Sequence, residues 1–433
     1  MNFDELGLAP TLVKILADGG YTAATAVQAQ AIPAALAGRD LLVSSQTGSG
    51  KTAAFLLPAL QKLAPSTAAR GRKQRFTPAQ PKLLVLAPTR ELALQVMNAA
   101  EKYGTRAQGL KAVAILGGMP YPKQMQMLAL NPEIMVATPG RLIDHMNSGK
   151  IDFSCLEMLV LDEADRMLDM GFIEDIEKIV AATPAARQTL LFSATLDGLA
   201  GKLASRITRD PALIKVTSSA AAKAKIEQRM HRVDDPAHKN RLLDHLLRDV
   251  AIDQAVVFTA TKRDADRLAG ELSQAGFAAA ALHGDMHQTA RNRTLGALRS
   301  GALRVLVATD VAARGIDVPT ISHVFNYDLP HSPEDYVHRI GRTGRAGRAG
   351  LAVSLVGHGE SFALKNIERY TQQRINVEVV AGHEPRKTAP PPSRAKPRNS
   401  RFAPKAAPRS EGRWGKPGAA KAGAGKTARY ASR

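Results

Sequence analysis

The sequence predicts an α/β protein of two tandem lobes with parallel sheets, followed by a disordered basic C-terminal tail. Three observations carry this. Short apolar runs recur, each followed by a polar or Gly-rich turn and then a helical pattern, as buried parallel strands with helical crossovers require. The series runs to residue 216 and starts again at residue 226. From residue 382 the chain turns rich in Pro, Ala, Gly, Lys and Arg, and cannot bury enough apolar surface to offset the entropy of ordering.

In the first lobe, strands are expected at Asp40–Ser44, Lys82–Ala87, Glu133–Ala137, Met158–Leu161 and Thr189–Phe192, with Ala212–Val216 as the last. The seam falls in Thr217–Lys225, TSSAAAKAK, which is small, polar and free of large apolar residues. The second lobe opens with Ile226–Val233 and continues with Gln254–Phe258, Arg304–Ala308 and His323–Asn326. The expected division is an N-terminal region 1–30, lobe one 31–216, linker 217–225, lobe two 226–381 and tail 382–433. No short repeat relates the lobes, so any likeness between them is one of fold.

A net charge of +20 points to a polyanionic partner, either nucleic acid or an anionic membrane surface. From Pro385 to Arg433 there are 14 Lys+Arg against 1 Asp+Glu, so that stretch carries +13 and the rest +7. The body must therefore hold nucleic acid through placed contacts. The tail reads as a nonspecific nucleic-acid tether, with Trp414 and Tyr430 able to stack on bases, or as a solubilising extension. The basic stretch Arg70–Arg75 reads as a solvated loop or an RNA contact. The lone Cys155 excludes an intrachain disulfide. The start, MNFDELGLAP, lacks a leader's apolar stretch, and no apolar run reaches the roughly 20 residues that span a bilayer. A cytoplasmic protein without a membrane partner is expected.

Two local patterns carry chemistry. Ser45-Gln-Thr-Gly-Ser-Gly-Lys-Thr52 follows an expected strand and opens a helical stretch, the context a phosphate-binding loop requires. Ser45, Gln46, Thr47, Gly48, Ser49 and Gly50 would cradle phosphates with backbone N–H groups at a helix N-terminus. Lys51 would hold the β- and γ-phosphates of a nucleotide, and Thr52 would ligate Mg²⁺. Met158–Leu161 then delivers Asp162-Glu-Ala-Asp165 to a strand's carboxyl edge. Asp162 suits the metal and Glu163 suits the attacking water.

These residues and their order resemble the DEAD-box ATP-dependent RNA helicases over about residues 1–380. The motif set and short tail are most similar to the bacterial RhlE subgroup. The resemblance implies two RecA-like P-loop NTPase-type lobes. Gly20–Gln28 resembles the Q motif, which implies that Gln28 reads the adenine edge, with Tyr21 and Phe3 at the base. Phe3 can equally be a staple for the first helix. Ala24 and Ala26 stand where the family often has prolines. Pro88, Thr89 and Arg90, then Gly118, then Thr138, Gly140 and Arg141, resemble segments that hold an RNA backbone without reading bases. Ser193-Ala-Thr195 resembles the motif that, with Asp165, links the nucleotide to RNA; alone it would pass for a local turn.

In lobe two, Val256–Thr261 and His283–Gln288 with Arg291 resemble the next segments, with His287 where Pro is usual. Thr309, then Arg314-Gly-Ile-Asp317, resembles the motif in which Thr309 touches RNA phosphate and Gly315 and Asp317 meet the ATP ribose. His338–Arg345 resembles the last motif. It implies that Arg342 and Arg345, read as three apart on one side of a helical turn, act on the γ-phosphate, and that His338 couples the lobes. The implied activity is ATP hydrolysis on RNA-promoted lobe closure, with local unwinding or remodelling of short duplexes and RNA–protein complexes. The alternative is an ATP-gated RNA clamp or annealing chaperone. Implied partners are RNA and, through it, ribosomal particles or RNA-degradation machinery.

Overall fold

The computed structural model describes residues 1–45, 48–64, 78–104, 109–196, 198–216, 226–313, 316, 318–345 and 348–386. The chain separates into the units Met1–Lys387 and Thr388–Arg433. The second unit, the expected linker 217–225 and the basic stretch 70–75 lie outside the described residues.

The first unit holds two seven-stranded sheets, and every strand pairing in them is parallel. In lobe one the strands are β1 Leu41–Ser45, β2 Leu83–Leu86, β3 Ala112–Ile115, β4 Ile134–Ala137, β5 Met158–Leu161, β6 Gln188–Ser193 and β7 Ala212–Val216, in the order β3-β4-β2-β5-β6-β1-β7. In lobe two they are β8 Ile226–Val233, β9 Gln254–Phe258, β10 Ala279–Leu282, β11 Val305–Ala308, β12 Ile321–Asn326, β13 Gly350–Gly357 and β14 Asn376–Val377, in the order β10-β11-β9-β12-β13-β8-β14. The two sheets follow the same permutation.

The apolar runs form these strands because helices cover both faces. Alternate residues then enter different cores: Leu83 and Val85 join one cluster, Leu84 and Leu86 the other. Ala255 and Val257 divide from Val256 and Phe258 in the same way in lobe two. Strands β5, β7, β8 and β9 coincide with expectation; β1, β2, β4, β6, β11 and β12 differ by one or two residues at an end. Strands β3, β10, β13 and β14 were not expected. β10 is three alanines and a leucine, residues without a strong strand preference. β13 follows a Gly- and Arg-rich stretch that reads as loop.

The tail boundary also needs correction. Residues 382–386 are packed on lobe two: the His383 carbonyl meets His238 Nε2 at 3.0 Å, and the Arg386 N–H donates to Asp234 Oδ2 at 2.7 Å. Among the described residues no helix is long and apolar enough to cross a membrane.

The order β5-β6-β1 is what positions the site. The carboxyl ends of β1 and β5, carrying the glycine-rich loop and the paired acids, flank the end of β6. Phe192 on β6 lies under this edge, fully buried, its ring 5.3 Å from that of Phe55 in the helix Lys51–Leu63 that follows the glycine-rich loop. Phe192→Ala is expected to destabilise lobe one by about 3–5 kcal/mol. An earlier thermal transition followed by circular dichroism checks this. Leu213→Ala, at an exposed position, should leave the melt unchanged.

Candidate functional site

The loop after β1 turns on Gly48 and Gly50, whose φ angles of +80° and +90° lie in the left-handed region. Gly50 caps the helix Lys51–Leu63. The Lys51 side chain folds back over the loop, buried, and its Nζ donates to the Ser45 carbonyl at 3.0 Å. Ser49 Oγ donates to Ser45 Oγ at 3.1 Å, and Thr52 lies in the helix's first turn. Gln46 and Thr47 lie outside the described residues.

Gln28 is built into the same loop. Its Oε1 accepts from the Thr25 N–H at 2.9 Å, closing a capping box on the helix Ala26–Leu36. Its Nε2 donates to the Gly50 carbonyl at 3.1 Å. The amide keeps one N–H and one lone pair for a base. Phe3, expected at the base, is buried in the lobe-one core with Leu6, Leu12 and Val27. The ring is apolar, so the short helix Phe3–Leu6 turns it inward as a staple. Tyr21 packs edge-on against Tyr103, ring centroids 5.8 Å apart, with Lys102 over its ring.

The acids follow β5 directly. Glu163 has φ 52° and ψ 53°, a left-handed conformation that is rare outside glycine, and it caps the helix Ala164–Asp169. Asp162 is buried, and its Oδ1 has no hydrogen-bond partner among the described residues. Burial pushes the Asp162 carboxyl up to about 7, against the pull of Lys51 and with the help of Glu163. Burial acts the same way on Glu163. There Arg166, Lys51 and Arg342 outweigh it and hold the carboxyl below its usual range. An orphaned, buried carboxylate oxygen near a phosphate loop fits a hard divalent cation such as Mg²⁺, with the Thr52 hydroxyl as a second oxygen donor. Asp165 turns away from this site. Its Oδ2 accepts from the Ala194 and Thr195 N–H groups at 3.0 and 3.3 Å, while Ser193 Oγ donates to the Thr195 carbonyl. The structure thus brings Asp165, Ser193 and Thr195 together.

In lobe two the helix Pro333–Ile340 carries His338 and Arg339 and ends at Ile340. Arg342 and Arg345 therefore lie in the turn beyond it, where Gly341 caps the helix, not on the expected helical face. They still converge, donating to the Ile316 carbonyl at 2.8 and 3.1 Å. Arg339 is buried and binds both oxygens of Asp310, at 2.6 and 2.7 Å, bracing this turn from beneath. His338 and Arg342 line a small cavity with Arg166 of lobe one. Gly315 and Asp317 lie outside the described residues.

The residues expected to hold RNA also gather. Pro88, Thr89, Arg90, Thr138, Gly140 and Arg141 line one open cleft. Gly118, at φ +69°, lies so close to Arg90 that a Cβ there would fall 2.2 Å from Nη1. Burial lowers the Arg90 pKa, with Arg291 and Arg141 adding to it against Glu91. Cations crowded this way favour an anion. Thr309 stands apart at the end of β11, its N–H donating to the Leu282 carbonyl at 3.3 Å.

The far wall of this cleft belongs to lobe two. Gln288 accepts from Arg90 Nη1. Arg291 binds Glu91 Oε1 through Nε and Nη2 at 3.0 and 2.7 Å, and the His283 carbonyl at 3.0 Å. Sequence reasoning assigned Glu91, Gln288, Arg291 and Arg166 no role. Arg291 meets Glu91, and Gln288 meets Arg90, across about 200 positions of sequence, which no local pattern shows.

A family model described as DEAD/DEAH box helicase matches residues 25–200, and one described as helicase conserved C-terminal domain matches residues 238–347. The chain is 44% identical over 390 residues to the ATP-dependent RNA helicase SrmB of Haemophilus influenzae, covering 90% of this chain and 87% of that one. It is 46% identical over 367 residues to the ATP-dependent RNA helicase DeaD of Escherichia coli, covering 85% and 56%. Among solved structures it resembles S. cerevisiae Dbp5 bound to RNA and ADP BeF3 (TM-score 0.76, 33% identity, 87% of this chain and 95% of that one). It also resembles Mss116p bound to ssRNA and AMP-PNP (TM-score 0.77, 27% identity, 88% and 80%).

The contact of Gln28 with the loop generates a test. A Cβ on Gly50 would lie 2.4 Å from Gln28 Nε2, and an alanine there would also have to adopt a φ of +90°. The left-handed conformation alone costs a non-glycine residue roughly 1–2 kcal/mol. Gly50→Ala is expected to raise the KM for ATP about tenfold. Steady-state hydrolysis over a range of ATP concentrations measures it.

Proposed function

Because this chain belongs to the DEAD-box family of ATP-dependent RNA helicases, we propose that ATP at the loop 45–52 and RNA in the interlobe cleft jointly seat its two lobes, and that hydrolysis follows from that seating. One observation carries the reading: Arg90, which lines the interlobe cleft, adjoins Glu91, and Glu91 is ion-paired to Arg291 of the other lobe. A ligand that orders this segment therefore acts on both lobes. Coupling between ATP and RNA binding must be reciprocal.

In this scheme Gln28 reads the adenine, Lys51 holds the β- and γ-phosphates, and Glu163 orients the attacking water. Arg342 and Arg345 leave the Ile316 carbonyl for the γ-phosphate, a role worth about 10³–10⁵ in rate in other NTPases. Asp317 and Gly315 take the ribose. Asp165, Ser193, Thr195 and His338 carry the seating of lobe two to the phosphate site. Thr52 and Asp162 hold Mg²⁺, whose chemistry is to neutralise charge on the phosphates. Arg90, Arg141 and the backbone around Gly118, Thr138 and Gly140 grip the RNA backbone, with Thr309 on a further phosphate, so sequence preference is low. Closure bends one strand and opens short duplexes or remodels RNA–protein complexes. Ribosomal particles or RNA-degradation complexes are the natural targets, and the RhlE assignment rests on motif set and tail alone. The competing reading, a clamp or annealing chaperone, is favoured by the +13 tail.

The deciding experiment is ATP hydrolysis with single-stranded RNA, with single-stranded DNA as control, alongside strand separation and annealing. Stimulation by RNA with net separation is expected; annealing without separation favours the clamp, and no stimulation sinks both. Glu163→Gln should bind ATP and RNA yet stall, and brisk turnover by it would refute the role of Glu163.

The lobe–lobe contact is tested separately. Arg291→Met should weaken RNA binding in the presence of a non-hydrolysable ATP analogue by about 5–150-fold, the usual span of coupling energies. It should change RNA binding little without nucleotide. Fluorescence anisotropy of labelled RNA under both conditions measures this.

A further inference from the structure

Arg166 is a charged side chain that the scheme above leaves without a task. It is 2% exposed and among the largest fully buried side chains. Its Nη1 donates to Glu163 Oε2 at 2.7 Å, three residues back in the chain. Its Nε and Nη2 are buried without a hydrogen-bond partner among the described residues. The same side chain lines the cavity shared with Phe258, Asp310, Ala313, His338 and Arg342 of lobe two.

A role in stability alone does not account for this. Each unsatisfied buried donor costs on the order of 1–3 kcal/mol. Replacing a whole buried ion pair by apolar side chains of similar volume is often neutral, so the pair is weak evidence for a purely stabilising role. The arrangement does solve a problem of aim. Glu163 leaves β5 in a strained backbone conformation, with nothing in that backbone to set the direction of its carboxylate. The bond from Arg166 sets it. The side chain also lines a space whose other wall is lobe two, so seating that wall confines the arginine.

We infer that Arg166 is a positioning residue for hydrolysis: it fixes the Glu163 carboxylate, and the cavity it shares with lobe two makes that grip depend on lobe seating. The inference rests on Glu163 being the group that orients water. Under it, Arg166 never touches the nucleotide and acts through Glu163. RNA, by seating lobe two, tightens the aim.

The test uses the full chain with MgATP, with and without saturating single-stranded RNA. Arg166→Met should lower kcat with RNA by roughly 10²-fold, the scale of a misplaced catalytic group. KM for ATP and RNA affinity should stay near wild type, whereas the melting temperature should fall, because the buried Glu163 carboxylate loses its partner, and Arg166→Lys should restore it. The loss should be smaller without RNA, and Arg166→Lys should recover part of it. In a Glu163→Gln background, Arg166→Met should add no further loss, because both changes remove one interaction. Additive losses, wild-type turnover by Arg166→Met, or a fall in melting temperature that parallels the activity and is not relieved by lysine would overturn the inference. An equal loss with and without RNA would overturn its dependence on lobe two. Normal turnover by Glu163→Gln alone would instead remove the underlying reading, and this inference with it.

Discussion

Two neighbouring carboxylates buried at one strand end are the constraint on which this molecule depends. Asp162 and Glu163 are both nearly inaccessible, and an ionised carboxylate without a counter-charge is not tolerated there. The cations come from three places: Lys51 in the phosphate loop, Arg166 in the helix that follows the acids, and Arg342 in lobe two. The placement of the loop, the start of that helix and the seating of the second lobe thus answer one electrostatic demand. These cations favour Glu163, whose carboxyl is held low, while that of Asp162 is raised. The shortfall lies at the oxygen best suited to a divalent cation.

The same short segment sends its side chains in different directions. Asp162 ends the strand, and Glu163 takes the left-handed pivot that lets a helix begin at once. Asp165, in the first turn of that helix, reaches the amides of Ala194 and Thr195 beyond β6, while Arg166 turns back to Glu163 and lines the space shared with lobe two. The segment is therefore tied on one side to the end of the neighbouring strand and on the other to the lobe interface. The strain at Glu163, on the order of 1–3 kcal/mol, is tolerated because its surroundings over-determine it.

Legibility in the sequence followed range. The buried strands were readable because a run such as Met158–Leu161 is continuous and apolar. The phosphate loop and paired acids were readable because their chemistry is set by spacing within a few residues. β10 was not, since alanines at a half-buried edge look the same in strand or helix. The face of Arg342 and Arg345 was misjudged because their spacing fits a helix that Gly341 ends. Phe3 shows the limit of carrying a motif over: an aromatic in register read equally as a contact to the base or as a staple, and its ring fills the core. The pairs Glu91–Arg291 and Arg90–Gln288 join segments about 200 residues apart, so only the folded chain displays them.

The common permutation of the two sheets sharpens the question of why only one lobe carries a phosphate loop. In lobe two the counterpart of β1 is β8, and it passes through Asp234 and Asp235 straight into the helix Pro236–Leu247. This connection has no glycine. The Asp235 side chain accepts from the His238 N–H at 2.8 Å, occupying a donor that a phosphate would need. Lys239, on the first turns of that helix, is paired with Asp328 at 3.0 Å. The counterpart site thus neutralises itself, and its acids repel phosphate. Arg342 and Arg345 thus have no phosphate loop at the counterpart position of their own lobe. One fold is used twice, with a glycine loop in one copy and an acidic cap in the other.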